Sequence, residues 1–88
     1  MPRVFVPFNL RKYADGASEV SVPGATLGEL VDNLEERFPG MKEHLVEDGK
    51  LKPGVAAVCG HSPTRRGLLQ PLEEDMEVHF VPAISGGN

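Results

Sequence analysis

The chain has 88 residues, of which 40% are hydrophobic and 25% charged, with a formal net charge of -4 and a single cysteine. This length supports one domain around one modest core and excludes a second, and the composition is that of a globular rather than a disordered chain. The Lys and Arg residues are scattered, with Arg11-Lys12 and Arg65-Arg66 the densest groups, which argues against the concentrated basic face of a nucleic-acid binder. Cys59 has no partner for an internal disulfide. No run approaches the ~20 apolar residues of a membrane helix, and MPRVFVPFNL has neither the apolar run nor the cleavage site of a secretory leader. The cytoplasm is therefore the expected address.

Val4 to Phe8 (VFVPF) is β-branched and aromatic enough for a first strand, with Pro7 near its end or on an unpaired side because it lacks a backbone donor. After the turn-rich YADGAS, the alternation in Glu19 to Val22 predicts a second strand with one buried face, and the two make a loose hairpin. Pro23-Gly24 ends it. Thr26 and Glu29 then form a T-x-x-E capping box, with the Thr26 oxygen accepting from the Glu29 amide and the glutamate reaching back to the Thr26 amide. The helix that starts there carries Leu27, Leu30, Val31, Leu34 and Phe38 on one face, with Asp32, Glu35, Glu36 and Arg37 largely on the other. Pro39 and Gly40 stop it.

The segment PGMKEHLVEDGKL predicts one more short helical turn, ending at Asp48-Gly49. Val55 to Cys59, an apolar run bounded by glycines, reads as a strand; HSPTRRG reads as loop, and GLLQPL as a very short edge strand. A turn at Glu73 to Asp75 leads into MEVHFVPA, where Met76, Val78 and Phe80 alternate with Glu77, His79 and Val81. The order β-β-α-β-β-β predicts an α+β roll, a mixed four- to five-stranded sheet packed on one main helix. Placing the last strand parallel to the first in mid-sheet encloses the most apolar surface. Residues 1–83 then make the domain, and 84–88 a flexible tail carrying Gly-Gly.

Catalytic constellations are missing from this pattern. His44, His61 and His79 are far apart and in no metal-ligand spacing, so each reads as a surface or strand-face residue, and Cys59 as a small buried hydrophobe. There is no phosphate-binding glycine motif, His61-Ser62 lacks a third orienting group, and Glu73-Glu74-Asp75 reads as a solvated turn. No catalytic residue, metal or cofactor is expected on the chain itself.

The capped helix TLGELVDNLEERFPGM, the acidic turn and strand PLEEDMEVHFVPA and the ending PAISGG together resemble the MoaD/ThiS sulfur-carrier proteins of the ubiquitin-like β-grasp fold. The resemblance covers nearly the whole chain, and its length is similar to MoaD-like and cysteine-synthesis carriers. It implies that the carboxylate of Gly87, at the end of a tail formed by Ile84, Ser85 and Gly86, is adenylated with Mg-ATP by an E1-like partner of the MoeB/ThiF type. Conversion to a thiocarboxylate would come next, with sulfur delivered to a downstream synthase for cofactor, cysteine, molybdopterin or secondary-metabolite synthesis. Glycine suits a tail that must enter a narrow channel, since it has no Cβ to obstruct the approach of the partner's backbone.

One residue departs from the pattern. With Asn88 attached, the Gly87 carbonyl is an amide and has no carboxylate oxygen to attack the α-phosphate of ATP. The resemblance therefore implies a pro-form, trimmed between Gly87 and Asn88 by a JAMM-type metalloprotease. The rival readings are a ubiquitin-like modifier ending in an isopeptide bond, and the small subunit of a molybdopterin-synthase-like complex. For docking, the resemblance points to the apolar sheet face beside the tail, with Phe80, Pro82 and Ala83 as candidates and Ile84 the strongest; core packing is the competing reading of Phe80.

Overall fold

A computed structural model describes residues 1–82; Ala83, Ile84, Ser85, Gly86, Gly87 and Asn88 lie outside the described residues. Strands β1 (Arg3–Phe5), β2 (Glu19–Ser21), β5 (Val55–Cys59), β6 (Ser62–Pro63) and β7 (Glu77–Pro82) form one mixed sheet, while β3 (Val46–Glu47) and β4 (Lys50–Leu51) form a separate hairpin. The sheet order is β2-β1-β7-β5-β6. Strand β1 pairs antiparallel with β2 and parallel with β7, and β7 pairs antiparallel with β5. The last strand thus lies beside the first in mid-sheet, as the apolar pattern requires.

Helix α1 (Leu27–Arg37) crosses one face of this sheet. Its N-cap is Thr26, with φ of -130° and ψ of 164°, whose side chain accepts from the Glu29 amide at 3.2 Å. The return bond differs from the expected one: Glu29 Oε1 accepts from the Ala25 amide at 3.1 Å, so the box closes on the residue before the cap. Leu27, Leu30, Val31 and Leu34 are all at most 1% exposed, and each contributes about 2 kcal/mol over leaving it in water. Phe38 is the C-cap, and Arg37 and Asn33 donate to the carbonyls of Ser21 and Pro23, tying the helix to the end of β2.

The core lies between α1 and the inward residues of the strands: Val4, Val20, Ala57, Cys59, Val78 and Phe80. Alternation along β7 leaves Glu77 and His79 on the outer face with Arg3 and Phe5 of β1, while Val78 and Phe80 are buried.

Four local expectations are corrected. The first strand stops at Phe5, because Pro7 begins a 3-10 helix over Phe8–Ala14 that buries Leu10 and Ala14 and ends with left-handed backbone at Asp15. The expected turn up to Asp48-Gly49 is helical only over Lys42–His44; Val46–Glu47 already belongs to a hairpin, whose two turn residues have φ of 54° and 74°. Two consecutive positive φ values are what a tight hairpin with right-handed twist demands, and Asp-Gly supplies them. Part of HSPTRRG is edge strand β6 rather than loop, its Pro63 being tolerated because an edge needs no donor on its outer side. GLLQPL forms a 3-10 helix at Gly67–Leu69 instead of a strand, and only Pro71 pairs, as an isolated bridge to Thr26.

Candidate functional site at the end of β7

Strand β7 pairs with β1 along Glu77–His79 and with β5 along Val78–Pro82, with His79 opposite both Phe5 of β1 and Val58 of β5. Because β1 runs parallel to β7, both chains leave the sheet at the same end. Counting on from the Phe5–His79 pair, Phe8 and Pro82 are each three residues farther along. A shallow hollow of about 100 Å³ opens at this end, lined by Pro7 and Asn9 from the segment after β1, Gly54 and Val55 from the start of β5, Leu45, and Phe80 and Val81 of β7.

Phe80 is 3% exposed and packs in the core, so its ring is not available to a docking partner, and the packing reading of this residue holds. Its neighbour Val81 points the other way and is 38% exposed. Val81, on the alternate face, is thus the exposed apolar side chain near the end of β7. Pro82 pairs through its backbone with Val55. Ala83 and the tail positions Ile84, Ser85, Gly86 and Gly87 lie outside the described residues, as does the Gly87–Asn88 bond.

The most exposed aromatic near this end was missed at the sequence level. Phe8 is 83% exposed, and the Arg11 guanidinium lies 5.5 Å from its ring centroid while its Nε donates to the Val6 carbonyl at 3.1 Å. The available signal was Pro7, which ends the strand pairing and so releases the next side chain from the alternation.

Farther back on the outer face, Glu77 is shared. One carboxylate oxygen accepts from Arg3 at 2.8 Å and the other lies 3.4 Å from His79 Nε2; Arg3 also meets Glu19 at 3.4 Å. The His79 ring stacks on Phe5, with centroids 4.2 Å apart and planes 4° from parallel. This is a laterally braced, mixed-charge surface flanked by the uncharged Ala56 and Val58 of β5.

The three histidines are not brought together. His79 is on the outer face, His44 packs against Tyr13 with centroids 4.6 Å apart, and His61 is exposed beside the acidic turn Glu73-Glu74-Asp75. Ser62 is exposed in β6, paired with Cys59. Among the described residues, no group of three His, Cys, Asp or Glu side chains is arranged to hold a metal ion. Burial pushes the Cys59 thiol pKa up, which disfavours the nucleophilic thiolate.

The sequence model of the ThiS family matches residues 4–87, from β1 through the second glycine of the Gly-Gly pair. The chain belongs to the ThiS family. It is 32% identical over 89 residues to sulfur carrier protein CysO of Mycobacterium tuberculosis, covering 96% of each chain. A chain in the crystal structure of the Amycolatopsis orientalis BexX/CysO complex superposes with a TM-score of 0.91 at 29% identity, covering 99% of this chain and 100% of that one. Small archaeal modifier protein 3 of Haloferax volcanii is 29% identical over 65 residues, 72% of this chain and 71% of that one. The fold of this ThiS-family chain is the ubiquitin-like β-grasp, with β7 as its last strand.

Proposed function

We propose that this ThiS-family protein is a sulfur carrier that acts as a co-substrate, reacting through the C-terminal carboxylate of Gly87. The observation that carries the reading is the family match extending through Gly87, together with the 32% identity to the CysO sulfur carrier. In the first step the Gly87 carboxylate oxygen attacks the α-phosphorus of Mg-ATP on an E1-like adenylyltransferase, and pyrophosphate leaves. A sulfur nucleophile then adds to the acyl-adenylate carbonyl and expels AMP, leaving a thiocarboxylate that a downstream synthase consumes. The carrier supplies reach and a docking body, and the partners supply the catalytic groups. Of the possible destinations, cysteine synthesis is favoured over molybdopterin synthesis by the likeness to CysO.

The Gly87–Asn88 amide has to be hydrolysed before any of this, and a JAMM-type metalloprotease is the proposed agent. A cytoplasmic setting fits these partners, and no helix of the described residues is long and apolar enough to cross a membrane. Intact mass spectrometry of the full chain, with the host peptidase and then with the E1-like enzyme, ATP and a sulfide source, tests the sequence of events. Loss of the asparagine mass and then exchange of one oxygen for sulfur are expected, and retention of Asn88 with no mass change under every condition would falsify the reading. Ile84→Asp should weaken activation and leave the thermal unfolding midpoint unchanged.

The similarity to small archaeal modifier protein 3 supports a second reading, in which the same activated Gly87 is passed to a lysine. The two chemistries share adenylation and diverge after it. Carrier adducts that survive a denaturing gel and a thiol reductant would select the modifier reading.

A further inference from the structure

We infer that Phe8, beside the end of β7, is the docking anchor through which the E1-like enzyme recognises this carrier. The inference rests on the reading of Gly87 as the reacting residue. Gly87 is only five residues beyond Pro82, and even a fully extended chain spans about 18 Å over that stretch. An active site that holds the Gly87 carboxylate must therefore come within that distance of the end of β7, and the enzyme's surface has to cover the residues around it. Among the described residues, the largest apolar side chain exposed at that end is Phe8, at 83%, with Val81 at 38% in the same neighbourhood. An exposed Phe beside a reactive tail has the composition of an interface hot spot, where a rigid aromatic fills a pocket on the partner and desolvates it.

The local structure fixes the backbone that carries this ring. Phe8 opens the 3-10 helix Phe8–Ala14, which is pinned by buried Leu10 and Ala14, and the Arg11 guanidinium rests over the ring from one side. A backbone already fixed leaves only the side chain of Phe8 to be ordered on binding. The partner it fits is a protein with an apolar socket at the mouth of its tail channel.

The test is carrier-dependent ATP–pyrophosphate exchange by the host E1-like adenylyltransferase, using the chain ending at Gly87, its Phe8→Ser variant and a Leu69→Ser control. Leu69 is 73% exposed but sits in the 3-10 helix Gly67–Leu69, which packs against α1 and β4 and does not line the hollow at the end of β7. Phe8→Ser is expected to raise the KM for carrier tenfold or more with kcat and the unfolding midpoint unchanged, and Leu69→Ser to keep KM within twofold. If wild type supports exchange and Phe8→Ser has the same KM, the anchor is wrong while the function stands. An equal rise for Leu69→Ser also overturns it, by showing a general dependence on exposed apolar area. No exchange with wild type removes the reading of Gly87 and the anchor with it.

Discussion

Glu35 shows how one side chain holds a chain reversal. Its carboxylate accepts from the Gly40 amide at 3.0 Å and the Lys42 amide at 2.8 Å, capturing the donors exposed just after α1 stops. The Gly40 amide first, then the Lys42 amide, hold its pKa below the ordinary 4.5, against a smaller opposing effect of burial. A depressed folded-state value means the stabilisation is complete above the unfolded value and lost as pH falls through the folded one. Glu35→Gln is therefore expected to lower the urea midpoint at neutral pH, with the difference from wild type shrinking as pH drops below the ordinary 4.5. Cys59, 7% exposed and with its thiol pKa raised by burial, should resist alkylation until denaturant is added, and rapid labelling of the native protein would contradict that placement. The burial of Cys59 was legible from its place at the end of an apolar strand, as was that of Phe80 from the period-two alternation of β7. The exposure of Phe8 was not, because an aromatic after VFVP reads as more strand until the proline's lost donor is allowed to end the ladder.

Among the elements, α1 was the most legible because its signals agree: a cap, a buried face at helical spacing and a Pro-Gly stop. Thr26→Ala removes the cap acceptor and should cost about 1 kcal/mol, visible as a fall in the unfolding midpoint of about 4–8 °C for a domain of this size. Gly24 is the tighter constraint. A Cβ there would lie 2.7 Å from the Leu30 backbone, which cannot move without displacing the helix from the sheet. Gly24→Ala should therefore destabilise by about 1–3 kcal/mol in a denaturant titration, an overpacking cost. The elements that escaped prediction are those with no period to read. The strands of the β3–β4 hairpin are two residues each, and the 3-10 helices at Phe8–Ala14 and Gly67–Leu69 lack the repeat that marks an α-helix. The Asp48-Gly49 turn was visible, but its flanks were too short to identify as strands.

For the whole molecule, the topology decides how β7 is held. Neither end of the sheet order is β7; β2 and β6 take the edges and leave it flanked by β1 and β5. Amides of Val78 and Phe80 should accordingly be among the slowest to exchange with deuterated solvent, and those of β6 among the fastest of the strands. The mid-sheet placement was foreseeable, since burying two apolar strands over one helix leaves few arrangements. The Arg3–Glu77–His79 brace was not, because it depends on a register that only the folded sheet sets. The parallel pairing of the first and last strands also has a mechanical result. A pull on the end of β7 against a hold on β1 loads the two strands along their length in opposite senses. Inter-strand hydrogen bonds run across that direction, so they bear such a pull together instead of opening one at a time.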